Sequence, residues 1–73
     1  MLKYKVKVVL KERLAELEMN LANNYKDAAH AALDSYIKTL EQLHNDGQIN
    51  DKDYNKYHKI YLNYKENMAD YHH

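Results

Sequence analysis

The chain has no cysteine, proline, phenylalanine or tryptophan, and one glycine among its 73 residues. Without cysteine there is no disulfide, no thiolate nucleophile and no zinc site built on thiolates. With no proline and one glycine, little of the chain suits linkers or disorder, so residues 1–73 read as a single domain. No stretch approaches the ~20 apolar residues that cross a bilayer. Lysines break up the apolar residues near the N-terminus, which argues against a signal peptide and makes a cytoplasmic, membrane-free protein the expectation.

What is present is unevenly placed. The formal net charge is zero, yet residues 1–13 carry Lys3, Lys5, Lys7, Lys11 and Arg13 against Glu12 alone, while residues 14–53 carry eight acids against Lys26, Lys38 and Lys52. A basic arm on an acidic body points toward nucleic acid or another acidic surface, although lysines also guard exposed strand edges. A chain of this size buries only about 60% of its unfolded surface, so association would add needed burial.

The arm itself reads "KYKVKVVL", residues 3–10. Lysine alternates with apolar residues, the period of a half-buried β-strand, and Val6, Val8 and Val9 are β-branched. The same residues also admit a helix, because Leu2, Val6, Val9 and Leu10 share a helical face that continues through Arg13 and Leu17. A single strand has no partner within the chain, so a ribbon over 3–9 would have to pair with a second copy.

Beyond it, Leu10, Leu14, Leu17 and Leu21 predict a first helix over 10–22. Asn23 and Asn24 end it, with Asn24 expected to cap a second helix over 24–46. The alanine-rich start of that helix, Ala28, Ala29 and Ala32, suits a close crossing, and Gly47 suits a left-handed C-cap. Asn50 is placed to cap a third helix over 50–71, with Ile49 and Tyr54 as a hydrophobic staple. The predicted fold is therefore mainly α: a short N-terminal strand or helical extension, then three helices, the last two an antiparallel hairpin, in a homodimer.

Tyr54, Tyr57, Tyr61, Tyr64, Met68 and Tyr71 recur at alternating spacings of three and four. All eight aromatic rings of the phenyl type are tyrosine, and a buried hydroxyl needs a partner, so this face is expected to be half wet. It lies either at the rim of the core or under a bound protein. Nothing points to catalysis, a cofactor, a metal or a small-molecule substrate. His30, His44, His58, His72 and His73 lack metal-ligand spacing, Ser35 has no glycine elbow, and His72 and His73 could be left from an expression tag.

"NYKDAAHAALDSYI", residues 24–37, together with the basic "KVKVVL", resembles the ribbon-helix-helix DNA-binding family over residues 3–43. The resemblance implies a dimer whose antiparallel ribbon enters the major groove. Lys3, Lys5 and Lys7 would then face DNA, Tyr4, Val6 and Val8 the core, and the amides of Asn24, Tyr25 and Lys26 the phosphate backbone. The turn at Asn23 and Asn24 departs from the family's usual glycine. Two functions follow: a DNA-binding regulator of mobile-element, plasmid or phage type, or a three-helix module that binds a protein, such as an inhibitor of a host or defence protein, through Tyr54, Tyr57, Tyr61, Tyr64 and Tyr71. The conformation of residues 3–8 separates them.

Overall fold

Residues 4–9 form helix, with Lys3 just before its first turn. The computed structural model describes residues 3–68, which fold into α1 (Tyr4–Ala22), α2 (Lys26–Asn45) and α3 (Asp51–Asn67). Among the described residues there is no strand, so the strand over 3–9 and the ribbon built on it are corrected to six further residues of α1. The energetics favour this outcome. A β-branched residue costs a helix at most about 0.7 kcal/mol relative to alanine, so three valines cost about 2 kcal/mol. In return Val6 and Leu10, one turn apart, enter a cluster with Tyr36, Leu40 and Ile49, and burial of each contributes about 1.5–3 kcal/mol. Tyr4, expected inside a ribbon core, is instead 81% exposed.

Both interhelical turns are Schellman motifs. After α1, the Tyr25 amide donates to the Asn20 carbonyl and the Asn24 amide to that of Leu21, with Asn24 left-handed at φ 61°. Asn24 thus finishes α1 rather than capping α2, and Tyr25 stands at the N-cap of α2 with no side-chain cap bond. Asparagine takes the place of glycine because its short polar side chain tolerates this conformation. After α2, the Gln48 amide donates to the Leu43 carbonyl and the Gly47 amide to that of His44, with Gly47 at φ 75°. The Asn50 side chain then accepts from the Asp53 amide at 2.8 Å and caps α3, and Ile49 is buried beside Tyr54.

The core has two parts that meet at Leu14 and Tyr61. One joins Val6 and Leu10 to Tyr36, Leu40 and Ile49; the other joins Leu17 to Ala29, Ala32, Leu33 and Met68. Ala29 and Ala32 are buried at the close crossing expected of small residues. α3 contributes no fully buried side chain between its ends. It docks through half-buried tyrosines and through the Tyr36 hydroxyl, which donates to the Tyr57 carbonyl at 2.7 Å. α2 lies between its neighbours, and no Cα of α1 comes within 8 Å of one in α3.

Two substitutions test this account. A Cβ at Gly47 would meet nothing within 4 Å, so Gly47→Ala should cost only the left-handed backbone, about 1 kcal/mol; D-alanine there should instead stabilise by about half a kcal/mol. Urea midpoints of synthetic chains measure both. Tyr36→Phe keeps the ring and removes one bond worth about 1 kcal/mol, and amide exchange should accelerate in α3 far more than in the first half of α1.

Candidate functional site

α1 carries a second stripe beside its buried one. Residues 7, 11, 14, 15 and 18 recur at helical spacing, and Lys7, Lys11, Leu14, Ala15 and Glu18 form one wall of a groove of about 420 Å³, with Tyr57 of α3 opposite. From residue 7 to residue 18 a helix rises about 16 Å, or three turns. Leu14 links floor to interior, since it also packs against both core clusters. The backbones of α1 and α3 stay apart, and Tyr57 and Tyr64 reach toward α1 across the gap.

Its ends differ in charge. Lys7 and Lys11 are exposed and have no ion-pair partner among the described residues. The Lys56 ammonium sits 5.7 Å from the centre of the Tyr57 ring. Lys3 extends the ladder and donates to the Gln48 side chain at 3.2 Å. At the other end the Tyr64 hydroxyl donates to Glu18 Oε2 at 2.8 Å. Burial, then the hydrogen bond to Glu18, then the charge of Glu18 push the Tyr64 phenol up to about 12. Burial foremost, then Tyr57 and Tyr64, raises the Tyr36 phenol further still above its ordinary value.

The tyrosines expected to share one face divide into two. Tyr57 and Tyr64 turn toward α1. Tyr54 and Tyr61 join a ring stack on the other side: His44 on Tyr54 at 4.2 Å, Tyr54 to His58 at 5.4 Å, His58 to Tyr61 at 5.7 Å. His44 Nε2 lies 2.7 Å from Asp51 Oδ1, and the Lys65 ammonium lies 5.8 Å from the Tyr61 ring. All four are half-buried. Tyr71 lies outside the described residues.

The residues expected to contact DNA do not converge within one chain. Of the three lysines Lys7 lines the groove, Lys3 bonds to Gln48, and Lys5 lies about 200° around the helix from Lys7. Asn24, Tyr25 and Lys26 sit at the far end of α1, a helix of 19 residues and so about 28 Å long. Sequence reasoning missed Lys11, Leu14, Ala15 and Glu18 as a wall; the spacing of Lys3, Lys7 and Lys11 at every fourth residue was the available signal. No family model, curated protein or solved structure matches the chain. No described helix is long and apolar enough to cross a membrane, and no group of three or more His, Asp or Glu among the described residues could hold a metal.

Ultraviolet titration should show Tyr36 and Tyr64 ionising after the ordinary tyrosine range near pH ~10. Their phenols are raised in the folded state, so the stability they contribute is complete below the unfolded value of ~10 and is lost as pH climbs through the folded values. For Tyr64 that window runs from ~10 to about 12. Glu18→Gln should lower the Tyr64 value without returning it to 10, because burial is the larger cause; a full return would contradict that ordering.

Proposed function

We propose that the chain is a protein-binding module that holds a segment of another protein in the groove between α1 and α3. The observation that carries this reading is the open, apolar-floored groove between two helices whose backbones stay apart. A small domain has little apolar surface to spare, and Leu14, Ala15 and Tyr57 are left facing a groove that a partner could fill. In this reading α2 and α3 form an antiparallel hairpin, and α1 lies along it as the second wall.

The DNA-binding reading has less support. It needs a ribbon at residues 3–8, and those residues are helical apart from Lys3. Its obligate homodimer served to cover Tyr4, Val6 and Val8; Val6 is covered within one chain by Tyr36, Leu40 and Ile49, and Tyr4 is exposed. The resemblance gives the start of α2 backbone contacts alone, at Asn24, Tyr25 and Lys26, and leaves the major groove to Lys3, Lys5 and Lys7 of the ribbon.

A photoreactive amino acid placed at Ala15, an exposed groove position, should cross-link to a discrete protein in cells that make the chain. The same group at Asp34, on the outward side of α2, should not. Adducts with nucleic acid from position 15, or equal protein yields from both positions, would defeat the reading.

A further inference from the structure

We infer that the segment taken up by this groove is an amphipathic helix whose apolar face meets Leu14, Ala15 and Tyr57 and whose flank carries carboxylates toward Lys7 and Lys11. The inference rests on the protein-binding reading and adds the partner's chemistry to it.

Shape selects a helix. The groove runs about three helical turns between two helices, the molecule offers no sheet edge among its described residues, and a helix laid between two others buries its anchors at every third and fourth residue. Ala15 in the middle of the wall allows close approach, while Leu14 and Tyr57 supply the apolar surface. A nucleic-acid backbone would leave that floor without a complement.

Charge selects the flank. Lys7 and Lys11 stand four residues apart in α1, and like charges at that spacing destabilise a helix. Glu12 and Glu16 point away from the groove, more than a quarter turn round α1, and Glu18 is engaged by Tyr64 at the opposite end. Carboxylates on a bound helix would relieve this repulsion at the place where the chain itself supplies no anion.

The test uses two stapled helical peptides of about four turns with the same leucine face, one flanked by glutamates and one by lysines, and a short DNA duplex. Each is titrated into isotopically labelled full chain. The glutamate peptide should shift the amides of Lys7, Lys11, Leu14, Ala15 and Tyr57 and bind at least about tenfold tighter than the lysine peptide. The double variant Lys7→Glu, Lys11→Glu should reverse that preference, and the milder Lys7→Gln, Lys11→Gln should abolish it. Both sites are exposed, so melting curves should stay close to wild type; if the charge-reversed variant does not fold, the glutamine pair decides. Equal binding of the two peptides, or failure of both to bind while Ala15 still cross-links to a protein, overturns the inference and leaves the protein-binding reading standing. Shifts of the same amides by DNA alone overturn both.

Discussion

The Tyr36 hydroxyl reaches the main chain of α3 at the carbonyl of Tyr57, and the length of that side chain sets how closely α3 can approach the rest of the molecule. The ring is fully buried while its oxygen ends on a helix backbone, an arrangement phenylalanine could not make. Tyr64 follows the same rule, its ring packed against the core and its hydroxyl donating to Glu18. An absence noted in composition and a feature of shape thus share one cause. A chain that spaces its third helix with phenols leaves room beside that helix, and the groove is the room left.

The two halves of the fold are held by different chemistry. Between α1 and α2, Leu10, Leu17 and Leu40 are fully buried and alanines bring the helices together, each leucine contributing about 1.5–3 kcal/mol. Between α2 and α3 the contacts are half-buried rings, a buried hydrogen bond worth about 1 kcal/mol and a stack of histidine and tyrosine at the surface. The first pair therefore carries most of the stability, and α3 belongs to the weaker end of the range over which parts of a protein open. A groove with one firm wall and one adjustable wall follows from that inequality.

Much of this was legible in the residues, and the errors have physical reasons. Gly47 and Asn50 announced themselves because few residues serve a left-handed C-cap or an N-cap well, and the structure uses both in those roles. Asn24 was misassigned between two ends that asparagine serves equally, C′ of one helix and N-cap of the next. Residues 3–9 misled because alternation and helical spacing coincide over so short a run: Lys3 and Lys7 satisfy both periods. Only the partners of Val6, namely Tyr36, Leu40 and Ile49 far along the chain, decide between them, and no local pattern reports those. The tyrosine face is visible as a set, but its division into a groove wall and a ring stack depends on where α1 lies, which stays open while residues 3–9 read as either strand or helical extension.

The start of α1 has a further consequence. Its first turn holds no acidic residue and Lys3 makes no cap, so lysines crowd the positive end of a helix dipole, each such misplacement costing about 0.3–1 kcal/mol at low ionic strength. Dissolved salt screens that repulsion and so steadies the free chain. The same screening weakens any attraction the lysines exert on a neighbouring anion. Ionic strength therefore acts with opposite signs on the isolated helix and on its use, and the conditions in which this end of the molecule is best formed are those in which its charge reaches least far.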